Sequence, residues 1–371
     1  MHPLRRKKVV LASVLKPLDD TRMYEKMALS LVQDGRFAVT VVGFGEMPNA
    51  ASNVQLVGLG RFGRLSFQRA WAPLRVLLKC IQVKPDILIV NTHELLLVGA
   101  ANRILFGCQI WYDLQENYYR NIRFGGAFPS VVRLPLALWV RAKEKLLAPL
   151  YTGFFPAEKG YLHEMDFFGG RAHVLENKVA RSSLQPRKKR PVFTFLFSGT
   201  LAPSTGIFEA VQFVKTLRAH GAPVRLDVIG YAALPEVREQ LQAAVSEAPF
   251  IILTGVDQLV PHSAIMGAIA QADAGIIAYP PSPHTVHSIP TKLYEYLGSQ
   301  LPIVCVHHPV WSELVRTWQA GISIDFKQFD ATTLWQQLQS DFYPTQPEKV
   351  FWEEEALKFI EALEANQQSQ A

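Results

Sequence analysis

Residues 288–302 read SIPTKLYEYLGSQLP and bring a proline, a lysine and a glutamate to a spacing that can do chemistry. Pro290 fits the first turn of a helix, with Ser288 or Ile289 near the cap. A helix that starts just after a strand offers its free N–H groups and dipole to a phosphate. Thr291 and Lys292 lie at that end, and Lys292 adds a point charge. Glu295, three residues on, faces roughly the same side. A carboxylate cannot serve a phosphate directly, but it accepts hydrogen bonds from ribose hydroxyls. A phosphate cradle beside a ribose acceptor describes a nucleoside diphosphate. The simpler alternative is that Glu295 only stabilises the helix N-terminus, worth about 0.3–1 kcal/mol. Leu293, Tyr294 and Leu297 read as core.

The surrounding elements must deliver this helix to a strand end. After FTFLF comes Ser198-Gly199-Thr200, after LDVI comes Gly230-Tyr231, and after IIL comes Thr254-Gly255-Val256. Glycine at such corners lets backbone approach a ligand. From residue 192 on, buried strands alternate with helical segments and read as a Rossmann-like unit of six or so strand–helix pairs. The first half shows the same alternation: KVVLASVL, FAVTVVGFG, DILIVNTHE and CQIWYDLQE read as strands. The fold expected is α/β: two Rossmann-like, doubly wound domains facing across a cleft. The expected boundaries are 1–180, a polar and basic linker over 181–191, 192–345, and a C-terminal helix in 346–371 packing back towards the first domain. Ligands in such sheets bind beyond the carboxyl ends of the strands.

The 371 residues carry charge unevenly. Residues 1–190 hold 29 Lys and Arg against 14 Asp and Glu, a net +15; the remainder holds 9 against 18, a net −9. A basic half suits nucleic acid, anionic lipid or a phosphorylated substrate; alternatively, two oppositely charged surfaces attract one another. Cys80, Cys108 and Cys305 are far apart and odd in number, which fits neither a disulfide framework nor a metal site and suits a reducing compartment. Basic residues 5–8 followed by VVLASVL read as a first strand rather than a signal peptide. No apolar run approaches about 18 residues, so no membrane span is expected.

The segment SIPTKLYEYLGSQLPIV closely resembles the Pro-Ser-Lys-Leu-Phe-Glu-Tyr motif of family 4 glycosyltransferases, which have the GT-B fold. FLFSGTLAPSTGIFEAVQF, LDVIGYA and ADAGIIAYPPSP are similar to other parts of their donor domain. The likeness covers most of residues 192–325. In the first half, WYDLQEN resembles the family's Asp-Val-His-Glu segment, and NTHE a preceding loop. The resemblance implies transfer from a nucleotide diphosphate sugar, UDP- or GDP-linked, with retention at the anomeric carbon and no required metal or cofactor. No Asp-x-Asp triplet is present. Carried over by position, Glu295 meets the ribose hydroxyls, and Lys292 and the N–H groups near Thr291 meet the diphosphate. Gly199 and Thr200 line the phosphate side, joined by Gly230 at the next corner, and Gly255 and Val256 lie near the base. His287 stands where many members have a second glutamate, and joins Glu295 as the catalytic candidate. Thr200 and Thr205 stand where many have an Arg and a Lys, and Gln115 replaces the family's His. Arg22 is a candidate for the missing cation, and His93, Gln115 and Glu116 for the acceptor side.

The segment FPSVVRLPLALWVRAKEKLLAPLYTGFF mixes apolar residues with Arg133, Arg141, Lys143 and Lys145, as does RFGRLSFQRAWAPLRVLLK. Each reads either as an amphipathic helix lying on an anionic membrane or as a core helix with a solvated basic face. The expected partners are a nucleotide sugar, a glycan or lipid-linked acceptor of envelope polysaccharide synthesis, and anionic lipid at the cytoplasmic face of the cell membrane, with no nucleic acid. Two rival readings remain open. One is a catalytically degenerate binding or scaffold subunit; the other is a sugar-nucleotide epimerase using Asp113 or Glu116. VVGFGEMPN lacks the third glycine of a nicotinamide-binding fingerprint.

Overall fold

The computed structural model describes residues 5–45, 53–62, 66–125, 128–188, 190–282, 285, 286 and 288–365. The chain forms two compact units, 1–177 with 353–371, and 178–352. In the first, six short runs rich in β-branched residues form β1 (Lys7–Pro17), β2 (Phe37–Phe44), β3 (Val54–Gly58), β4 (Ile87–Val90), β5 (Gln109–Leu114) and β6 (Gly153–Pro156). They pair in parallel in the order β3-β2-β1-β4-β5-β6, with Val9 opposite both Val39 and Ile87. β3 and β6 are short and were not separable in the sequence from the loops around them.

Asp20 opens the segment after β1: its carboxylate accepts from the N–H groups of Arg22 and Met23, capping a π-helical stretch, Thr21–Ala28, that runs on as the α-helix Leu29–Asp34. Gly35, at φ 84°, ends it. The helices Phe67–Val83, Leu96–Phe106 and Ser130–Leu147 follow β3, β4 and β5 in turn. The C-terminal helix, Trp352–Ala365, packs Phe359 edge-on against Phe155 of β6 at 5.3 Å.

The second unit repeats the plan with β7 (Phe193–Thr200), β8 (Val224–Tyr231), β9 (Ile251–Val256), β10 (Ala274–Ile277), β11 (Ile303–Val306) and β12 (Gly321–Ile324). Their order is β12-β11-β10-β7-β8-β9, again all parallel. In each unit the chain leaves the first strand in one direction and returns to lay the fourth on its other side. The switch points of the two sheets are therefore β1/β4 and β7/β10, the positions where such sheets take ligands.

The basic segment expected to be the interdomain linker, 181–191, falls within the second unit, and its described residues are laid along it. Arg187 donates to the carbonyls of Gln300 and Ala272, the Lys188 N–H to Ala270, and the Arg181 guanidinium sits 3.6 Å from the centre of the Phe351 ring. Its charge is used to tie down polar chain ends, which composition alone does not reveal.

Candidate active site

The helix Thr291–Gly298 starts one residue later than the sequence predicts: Pro290, expected in the first turn, is its extended N-cap residue at ψ 136°, and Ser288 and Ile289 do not cap it. Leu293, Tyr294, Tyr296 and Leu297 pack into the core of the second unit. The helix fits close to β10 because Gly275 has no side chain: a Cβ there would lie 2.4 Å from the Tyr296 ring. Tyr296 in turn shares a 3.0 Å hydrogen bond with the Ser198 hydroxyl of β7, so the helix is fixed to both strands of the switch point.

Lys292 is 7% exposed. Its ammonium donates to the Ser198 carbonyl and lies 4.5 Å from the Phe197 ring centre and 5.1 Å from that of Tyr279. Among the described residues that carbonyl is its one hydrogen-bond partner, so the ammonium has donor capacity to spare. Burial pulls its pKa down to about 8, and Glu295 partly offsets the shift. A cation held by a single carbonyl and two ring faces is under-compensated. Gly199, at φ 94°, lies directly beside it, and the space on the Cβ side of Gly199 is empty up to the Lys292 Cε and Nζ at 3.9 Å.

Glu295 is also buried, and its Oε1 lies 3.0 Å from His262 Nε2 at the start of the helix His262–Ile269. Lys292 and Glu295 thus leave one helix in two directions, the first to the end of β7, the second to the element after β9. Nothing local marks His262, because its link to Glu295 spans 33 residues. Trp311 was missed for the same reason: its indole N–H donates to the Ser288 carbonyl at 2.7 Å and fixes the approach to the helix.

The other expected donor residues sort into two groups. Thr200 is exposed at the end of β7 and Thr291 is half-buried at the head of the helix, both at the strand-end side. Gly230 and Gly255 serve packing instead: a Cβ on Gly230 would lie 1.8 Å from the Gly199 carbonyl oxygen, and one on Gly255 2.3 Å from Val260. Val256 turns its side chain into the core rather than towards a base. Its backbone is nevertheless strained, at φ 64° for a β-branched residue, inside a three-residue turn closed by the Asp257 N–H on the Gly255 carbonyl at 2.8 Å. Such strain clusters at binding sites. Thr205 cannot replace a cationic clamp. Its hydroxyl donates within its own loop, to the carbonyls of Thr200 and Ala202, and accepts from the Ala202 N–H. His287 lies outside the described residues.

In the first unit, Arg22 is not the free cation expected. It is buried and donates to both Asp113 carboxylate oxygens, with Nη2 at 2.7 Å, and to the Leu175 carbonyl at 2.8 Å. Asn91 and Gln115 each donate to Asp113 at 2.9 Å, so Gln115 completes this cluster rather than facing a ligand. Asp113, fully buried and so paired, is unsuited to act as an epimerase acid or base. Glu116 is exposed, 3.6 Å from Lys16. His93 accepts from or shares a proton with Lys143 at 3.1 Å and packs edge-on to Tyr118 at 4.8 Å. Burial lowers its pKa to about 4, so it is neutral at pH 7, and Lys143 is then the donor to Nδ1. Among the described residues no cluster of three His, Cys, Asp or Glu side chains could hold a metal ion, and no helix is long and apolar enough to cross a membrane.

No protein-family model matches the chain, and no curated protein matches it in sequence. Solved structures do match. A sucrose-phosphate synthase from Thermosynechococcus elongatus is 13% identical with a TM-score of 0.71, the match covering 99% of this chain and 100% of that one. The E. coli structure described as trehalose-6-phosphate bound with UDP-2-fluoro glucose is 12% identical, TM-score 0.59, over 98% and 96%. The apo lipopolysaccharide outer core galactosyltransferase WaaB is 12% identical, TM-score 0.51, over 96% and 99%. At such identities the likeness is one of fold. The chain has the GT-B architecture: two Rossmann-like α/β domains, each with a six-stranded parallel sheet.

Proposed function

We propose that this protein is a glycosyltransferase that takes a sugar from a nucleotide diphosphate donor. The observation that carries the reading is the Lys292 ammonium, buried at the β7/β10 switch point with one carbonyl partner, on the same helix as the buried carboxylate of Glu295. A diphosphate supplies the charge Lys292 lacks, and ribose hydroxyls suit Glu295, with His262 holding its other side. Gly199, Thr200 and the N–H groups near Thr291 complete the phosphate side. The strained Gly255–Val256 turn offers backbone to the base. The residues assembled here are cationic and polar groups of the chain itself, and the reading needs no metal or organic cofactor.

In the reaction the bond from the anomeric carbon to the diphosphate oxygen breaks, and its electron pair leaves with the nucleotide. The acceptor hydroxyl forms the new bond and gives up its proton to the leaving phosphate side, which is the retaining course. Negative charge grows on the diphosphate in the transition state, so a preorganised ammonium and N–H groups lower that barrier. The acceptor we favour is a glycan or lipid-linked saccharide of the cell envelope, met at the cytoplasmic face of the membrane. The fold neighbours that make sucrose or trehalose phosphates point to a sugar phosphate as the competing acceptor class.

The test is ligand-observed NMR of the purified protein with UDP-, GDP- and TDP-sugars, on the wild type and Glu295→Ala. One donor should bind the wild type, and the substitution should weaken it at least about tenfold, as expected for losing charged hydrogen bonds to ribose. No donor binding in either protein would give the lead to the scaffold reading.

A further inference from the structure

The helices Phe67–Val83, Leu96–Phe106 and Ser130–Leu147 of the first unit lie side by side, the middle one packed on both others. The inner residues of the first two, among them Ala72, Val76, Cys80, Leu96 and Val98, join the sheet in one core, while Ala137 and Val140 of the third pack with Tyr118 and Ile122. Their outer residues are apolar as well. On the first helix Phe67, Trp71, Leu74, Leu78 and Ile81 form an exposed stripe at alternating spacings of four and three, with Phe67 78% exposed. The second exposes Leu97, Ile104 and Leu105, with Ile104 72% exposed. The third exposes Val131, Leu134, Leu138, Trp139 and Leu146, with Val131 81% exposed. Scattered exposed leucines need no explanation, but exposed apolar stripes on three adjacent helices point to a binding surface.

The charge on this face has one sign. The first two helices contain no acidic residue, and the third has only Glu144, which is buried and accepts from the Tyr112 hydroxyl. Some of the cations are used within the protein: Arg69 pairs with Glu94, Arg141 with Glu144, and Lys145 with Asp166. Arg75, Lys79, Arg103 and Arg133 form no salt bridge among the described residues, the three arginines donating to backbone carbonyls, while Lys143, near Glu94 and Glu144, lies 4.5 Å over the exposed Trp139 ring.

We propose that this three-helix face docks on an anionic lipid bilayer. Its Trp, Phe and Leu side chains would enter the interface, and its Lys and Arg without a salt bridge, such as Arg75 and Lys79, would meet the headgroups. A second copy of the chain fits less well, because an isologous contact sets the same cations against themselves. The proposal adds a partner surface and does not depend on the donor-site reading.

The experiment is co-sedimentation of the full chain with phosphatidylcholine vesicles, with and without phosphatidylglycerol, together with its oligomeric state by light scattering. Trp71→Ser/Leu78→Ser and Lys79→Glu alter side chains on the outer face that are half to partly exposed, and circular dichroism checks that both variants stay folded. The wild type should sediment with anionic vesicles at low salt and be released at about 1 M salt, where the Debye length falls to about 3 Å. The double variant should bind at least about tenfold more weakly and Lys79→Glu several-fold more weakly. Glu295→Ala should bind vesicles like the wild type, so failure of the donor reading is read separately. No sedimentation with anionic vesicles at low salt, or a double variant that sediments like the wild type, overturns the proposal. So does a wild-type dimer that the double variant splits, which would give the face to a second copy.

Discussion

The two sheets share a strand order, yet their switch points treat charge in opposite ways. In the first unit the Arg22 guanidinium is closed off by Asp113, and Asp113 by Arg22, Asn91 and Gln115. In the second unit Lys292 has a carbonyl and two ring faces. In the first arrangement both charges are paired within the chain, and what it leaves over is neutral: the buried Asn91 Oδ1 and Thr92 Oγ1 meet no partner among the described residues. The second leaves an ammonium short of partners, a state that a protein tolerates where an anion will complete it. Topology alone offers two equivalent positions; the unbalanced charge is what supports the second as the proposed donor site.

The largest test of this contrast is Asp113→Ala. It leaves a buried guanidinium unpaired and should cost about 3–5 kcal/mol in urea unfolding of the first unit. If the loss is under about 1 kcal/mol, the pair is solvated in solution and the contrast fails.

Lys292→Met should act in the opposite direction. The Lys292 pKa is lowered from 10.5 to about 8, so the folded state holds this proton more weakly than the unfolded chain does. Below about pH 8 both states are protonated and the full burial penalty is felt; between 8 and 10.5 the unfolded chain binds more protons, and stability rises with pH. The substitution should therefore stabilise the second unit by about 3 kcal/mol at pH 7, and its advantage should shrink as pH climbs towards 10.5. Donor affinity should fall at least about tenfold in the variant, and in the wild type it should decline as pH passes 8. A variant that is less stable than the wild type at pH 7 would show that Lys292 holds the fold together rather than waiting for a ligand.

Local pattern carried much of the architecture to the reader. Pro290 set the helix start to within a residue, Gly35 a helix stop, and β-branched runs most of the strands. What stayed hidden is what joins distant residues. Arg22 looked available because its partner, Asp113, lies 91 positions away. The basic run near residue 187 looked like a linker because carbonyl acceptors leave no mark in a sequence. Glycines at strand ends looked alike, and only the packing separates them: Gly230 is demanded by a neighbouring strand, whereas Gly199 faces open space beside Lys292.

That last difference yields the smallest prediction and the finest one. Alanine at 199 meets no atom closer than the Lys292 side chain at 3.9 Å, so its cost is conformational: φ 94° disfavours a side chain by about 1–2 kcal/mol. Alanine at 230 would place its methyl carbon 1.8 Å from a backbone oxygen and must force β7 and β8 apart. Gly230→Ala should thus lose stability by more than Gly199→Ala and lower donor affinity only through unfolding. Gly199→Ala should leave a folded protein whose donor affinity drops several-fold, because the methyl occupies the space next to the ammonium. Unfolding curves and donor titrations on the same two samples separate these effects. Equal loss of affinity per unit of lost stability in both would mean that Gly199, too, serves only the sheet.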